Sequence, residues 1–167
     1  AASTLARADH RHQREGFAAV VAETSYGQAS ANGAASTLAR SDHTHGTPVK
    51  HEQEVTFSRT GALSAPLAGA LRWSPKRAIT ITGVRANVGT APVGASILVD
   101  VNKNGVTIFS TQSNRPTIPA AGTTDDADAI DLPAVSAGQF LTVDIDQVGS
   151  TTPGSDLTVT ILYTVDA

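Results

Sequence analysis

Four histidines stand in two pairs, His10 with His12 and His43 with His45, and each pair closes the same dodecamer. Ala1 to His12 reads AASTLARADHRH, Ala34 to His45 reads AASTLARSDHTH, and the copies agree at ten of twelve positions across a shift of 33 residues. In an extended segment the side chains at i and i+2 point the same way, so each Asp-His-x-His motif presents two imidazoles on one face. One chain thus supplies two nitrogen ligands per motif. Three identical chains running parallel about an axis bring six imidazoles together, enough for the octahedral shell of iron or another transition metal such as Ni(II). Zinc more commonly takes four ligands. Asp9 and Asp42, each preceding a pair, can accept the second ring N–H and fix the tautomer where the backbone bends. The same pairs can equally stack and hydrogen-bond at an interface without metal. His51 stands alone and reads as ordinary surface.

The elements that must position these imidazoles are thin. Residues 13–45 form one full repeat unit after the partial copy in residues 1–12, and its only large apolar side chains are Phe17, Val20, Val21, Tyr26 and Leu38. A unit this poor in bulk cannot bury its own core and must borrow one from neighbouring repeats or sister chains, so self-association is predicted. Phe17, Val20 and Val21 fit either a short helical turn or an extended segment. Asn32-Gly33 signals a turn, and Gly46-Thr47-Pro48 ends the unit.

The second half changes character. Aromatic residues make up only 4% of the chain while Ala, Thr, Ser, Gly and Val dominate, which favours turn-rich β architecture over helical packing. A linker leads into a short strand at Glu54–Phe57. From Leu71 the period-two alternation persists: Ala78–Val88 with a bulge at Gly83, Ile97–Val101, and Val106–Ile108 after Asn104-Gly105, which reads as a type I′ hairpin turn. A long loop is expected from Pro116 through Asp128, a short strand near Ala129–Leu132, then strands at Leu141–Ile145 and Leu157–Val165. The predicted class is all-β, with N-terminal extended fibrous repeats followed by a C-terminal antiparallel β-sandwich of jelly-roll type. The predicted divisions are 1–48 for the repeat or collar region, 49–69 for linker and first strand, and 70–167 for the sandwich.

With no cysteine, a disulfide framework, a thiolate metal site and a cysteine nucleophile are all excluded. A net charge of −3 without a Lys/Arg cluster argues against nucleic acid as a partner. No apolar run approaches a membrane span, and no signal-peptide pattern opens the chain, so membrane insertion is not expected. Because Ala1 already lies inside a repeat copy, the chain is expected to be the C-terminal part of a longer protein, or a processed one.

The string Gly33-Ala34-Ala35-Ser36-Thr37-Leu38-Ala39-Arg40-Ser41-Asp42-His43-Thr44-His45-Gly46-Thr47-Pro48 resembles a collar-type repeat of bacteriophage tail-fibre, tail-spike and minor tail proteins, with Leu38 in place of the usual Tyr. The resemblance covers residues 1–12 and about 26–48. It implies a homotrimeric virion protein whose His43 and His45, and secondarily His10 and His12, hold a metal ion such as iron on the trimer axis. Arg11 and Gln13-Arg14 depart from the repeat's ending. The strings GVRANVGTAPVGASILVDVNKNG and GSDLTVTILY are similar to β-sandwich domains ending such proteins. The implied partners are sister chains, other virion tail proteins, and a host cell-surface glycan or protein.

Other candidates carry less. Asp125, Asp126 and Asp128 offer hard oxygens for Ca²⁺ but lack the spacing of a dedicated loop, and read as a solvated loop. Asp144 and Asp146 share a strand face; as an acid/base pair they are outweighed by their place on the outward face of an amphipathic strand. No Gly-x-Ser-x-Gly elbow supports a Ser-His-Asp site. Trp73 is expected in the core or at an interface rather than stacked on a sugar. The function expected is non-enzymatic: structure and host attachment in a virion tail or surface fibre. The alternatives are an architectural head-fibre or collar part without receptor binding, and a metal-dependent polysaccharide depolymerase.

Overall fold

The computed structural model describes residues 51–69 and 72–166, all within one compact unit, Lys50–Ala167. Ten strands follow in order: β1 (Glu52–Ala62), β2 (Arg72–Trp73), β3 (Ile79–Asn87), β4 (Ile97–Lys103), β5 (Val106–Thr107), β6 (Thr117–Ile118), β7 (Thr124–Ala127), β8 (Ala134–Val135), β9 (Leu141–Gln147) and β10 (Ser155–Val165). A single 3-10 turn, Gln112–Asn114, lies between β5 and β6.

All pairings are antiparallel and build two sheets. Sheet one runs β1-β10-β3-β7, with β8 sharing the outer edge of β3; sheet two runs β2-β9-β4-β5, with β6 sharing the outer edge of β4. The side-chain period of two decides which residues meet between the sheets. From sheet one Phe57, Ile79, Ile81, Val84, Ala86, Leu157, Val159 and Ile161 point inward, and from sheet two Ile97, Val99, Val101, Leu141 and Ile145 oppose them in one continuous apolar cluster. The molecule is therefore a β-sandwich. Phe109, Ile108 and Ile118, on the chain between β5 and β6 and within β6, complete that core with no exposed surface.

Several expectations hold in detail. Asn104 and Gly105 both have positive φ, at 52° and 82°, as a type I′ turn between β4 and β5 requires. On β3, Leu162 pairs with Gly83 but Tyr163 pairs with Ile81, which leaves Thr82 as the extra residue of a bulge. That slip keeps Ile79 and Ile81 on the same inward face as Val84 and Ala86. Trp73 packs against the core, its ring centroid 5.4 Å from that of Tyr163 in the opposite sheet.

Others are corrected. The strand expected at Glu54–Phe57 is eleven residues long, and segment 49–69 supplies the whole outer strand of sheet one. Only Phe57 is buried along it, so apolar alternation understated its length; the ladder to β10 holds the rest. The loop expected through Pro116–Asp128 contains β6 and β7. Asp125 accepts the Thr117 N–H at 2.6 Å and Asp126 pairs with Arg85, so the acidic run is tied down side chain by side chain. The strand expected at Ala129–Leu132 is absent. Asp131 instead accepts the Thr111 N–H at 2.7 Å, holding this stretch across the 3-10 turn, and the pairing with β3 begins after Pro133, at β8.

Candidate functional site

The residues expected to bind metal, His10, His12, His43 and His45, lie outside the described residues. Among the described residues no group of three or more His, Asp or Glu side chains is placed to hold an ion. The candidate surfaces within the sandwich are its two outer faces.

The outer face of sheet one follows from parity. Because Leu157, Val159 and Ile161 of β10 face the core, Thr158, Thr160, Leu162 and Thr164 face out. Across the sheet Ser58, Thr158, Asn87 and Thr124 form one row, and Thr56, Thr160, Arg85 and Asp126 the next. Thr56 and Thr160 share a hydroxyl hydrogen bond at 3.3 Å, and Arg85 grips Asp126 with Nε at 2.5 Å and a second nitrogen at 2.8 Å. This bidentate bond lowers the Asp126 pKa and raises that of Arg85. The result is a hydroxyl-rich face with one fixed ion pair.

The outer face of sheet two is a polar belt. Asp100 of β4 lies directly opposite Asp144 of β9, and Asn102 opposite Thr142. Such cross-strand pairs place Cβ atoms about 5 Å apart. Asp144 accepts hydrogen bonds from two donors, Asn102 Nδ2 at 2.8 Å and the Gly69 N–H at 2.6 Å. Asp100, only 7% exposed, accepts the Thr107 hydroxyl at 2.7 Å. Burial raises its pKa, and the Thr107 bond offsets only part of that. Asp146 pairs with Arg115.

Asp144 and Asp146 do share a face, as their spacing predicts, but they are not alike: Asp146 is exposed and ion-paired, whereas Asp144 is partly buried in a hydrogen-bonded pair with Asn102. Acid/base work on a bulky saccharide needs an accessible carboxyl within hydrogen-bond reach of the reacting oxygen. Asp100, the one carboxyl here with a raised pKa, is the least accessible of the three. Its place in the alternation Ile97 to Asn102 marks it only as outward, and its neighbours alone show that outward is not exposed here.

Aromatic rings available for sugar stacking are scarce among the described residues. Phe57, Phe109 and Tyr163 are buried, Trp73 packs on the core, and Phe140 is covered by Arg72, whose Cζ lies 3.6 Å from the ring centroid. No protein-family model matches the chain, and no curated protein matches it.

Proposed function

We propose that this chain is a non-enzymatic fibre component of a bacteriophage virion: a parallel homotrimer whose repeat region is pinned by a transition metal on its axis and whose sandwich attaches to the host surface. The observation that carries this reading is the Asp-His-x-His dodecamer repeated after 33 residues, with its phage collar-like ending Gly46-Thr47-Pro48. The sandwich supports it. With β5 and β6 counted as one position and β7 and β8 as another, the strand order is that of a jelly roll, an architecture common in viral capsid and lectin domains. Fold alone does not carry function, so the weight stays on the repeat.

Attachment works here by multiplicity. Three linked copies of a weak site act at high effective concentration, so that the assembly holds a cell without one tight contact. The lack of an uncovered aromatic platform among the described residues favours a partner met by hydroxyls and charges, whether a host glycan or protein or another virion protein. The latter is the architectural reading. Fluorescently labelled full chain incubated with candidate host strains should bind saturably. The double variant His43→Ala/His45→Ala should bind about tenfold or more weakly as multivalency is lost. Equal binding by both proteins, or new reducing ends released from host polysaccharide, contradicts the proposal.

A further inference from the structure

One end of the sandwich gathers positive charge that the chain carries far apart in sequence. Arg72 on β2, Lys76 and Arg77 on the loop after it, and Lys103 at the end of β4 are four of the seven Lys and Arg among the described residues, against eleven Asp and Glu. The loop between β8 and β9 draws their segments together. Ser74 Oγ donates to the Gln139 carbonyl at 2.6 Å and the Gly138 N–H to that of Pro75 at 3.3 Å, which joins the β2–β3 loop to it. From the β4–β5 turn, the Asn104 N–H donates to the Phe140 carbonyl at 2.9 Å, and Asn104 Oδ1 accepts the Phe140 N–H at 3.0 Å. Lys103 Nζ donates to the Ala134 carbonyl at 2.8 Å, and Arg72 lies over the Phe140 ring.

No Asp or Glu occurs in 72–78, 103–106 or 134–140, so these loops carry no counter-charge of their own. Two carboxylates border them: Asp166, whose N–H donates to the Ala78 carbonyl, and Glu52. Each accepts a threonine hydroxyl of β3, from Thr80 and Thr82 respectively. Arg72, Lys76 and Arg77 are exposed and form no ion pair with a described carboxylate, in contrast to Arg85 and Arg115. Lys103 spends one of its three donors on Ala134 and keeps two. Cations held together without partners focus a field that favours a ligand with several negative groups.

We infer that this end binds an anionic polysaccharide, whose successive acidic groups engage Arg72, Lys76, Arg77 and Lys103. This deepens the attachment reading above and rests on it, naming the chemistry of the host partner. Two other polyanions fit less well. Single-stranded nucleic acid stacks its bases on aromatic side chains, and the rings at this end are taken, Trp73 by the core and Phe140 by Arg72. An anionic membrane needs an apolar face beside the cations, and on these loops Val106 is the one exposed large apolar side chain.

The test adds full chain to fluorescein-labelled dextran sulfate, polygalacturonate and neutral dextran of similar length and follows anisotropy. Both anionic polymers should bind saturably and dextran should not. Affinity should fall about tenfold or more between roughly 50 and 200 mM NaCl, as counterions are released. Lys76→Glu/Arg77→Glu should weaken dextran sulfate binding about tenfold or more and the milder Lys76→Gln about threefold, while Arg85→Gln on the outer face of sheet one leaves it unchanged. Near-UV circular dichroism checks that each variant is folded. No binding of either anionic polymer, equal affinity for dextran, or unchanged binding by Lys76→Glu/Arg77→Glu would each overturn the proposal. So would tighter binding of oligo(dT) or of phosphatidylglycerol vesicles than of dextran sulfate. Host-cell binding that survives such a result leaves attachment standing, whereas binding of the anionic polymers without binding of host cells overturns the attachment reading alone.

Discussion

Phe57 offers the sharpest test of how the sandwich is held, because it is the one fully buried side chain of β1, with Val55 only partly buried against the core. An aromatic side chain buries on the order of 150 Å², and at about 25 cal/mol per Å² that is worth about 4 kcal/mol. Alanine retains part of the contact, so Phe57→Ala should cost about 3 kcal/mol. Its neighbour in type, Phe109, is fully buried, and Phe109→Ala should cost about 5 kcal/mol because a new void adds to the transfer loss. Phe57 lines an open indentation shared with Arg59, Leu67 and Val143, so its removal deepens an existing hollow instead of creating a closed void. Urea unfolding followed by circular dichroism measures both costs, and hydrogen exchange locates the loss. In Phe57→Ala the β1 amides bonded to β10 should exchange faster than those joining β10 to β3. Equal costs for the two variants, or unchanged β1 protection, would refute the reasoning.

Asp100→Asn should stabilise the fold at pH 7: the raised folded pKa means that ionisation of Asp100 opposes folding, so the gain should be present above that pKa and shrink as pH falls through it, as unfolding at pH 7 and pH 3 would show. Arg85→Gln should leave the urea unfolding midpoint essentially unchanged despite its bidentate bond, because both partners are solvent-exposed. Gly149→Ala should be severely destabilising, since an added Cβ would lie 1.9 Å from the Thr152 carbonyl oxygen. Gly138→Ala, at φ +84° with open space around it, should cost only about 1 to 2 kcal/mol; thermal melts of the pair separate close approach from backbone strain.

The sandwich was legible where apolar alternation and turn chemistry spoke together. Asn104-Gly105 between alternating runs marked a hairpin because positive φ at two positions is a local demand. Gly83 marked the phase slip that lets β3 keep one inward face. What escaped was set by tertiary neighbours. β1 carries one buried residue in eleven, and β7 is acidic; both are strands because a partner's ladder and specific side-chain bonds hold them, which no local pattern carries. Asp100 shows the same at the site level, since its outward position is readable and its burial is not.

Assembly of sister chains through the repeated Asp-His-x-His segments is the premise of the proposed fibre, and light scattering on the full, untagged chain during size exclusion tests it most directly. A mass near three times 17.1 kDa is predicted, falling toward 17.1 kDa after chelation or in His43→Ala/His45→Ala. A clean monomer at tens of micromolar with its native metal supplied would contradict it.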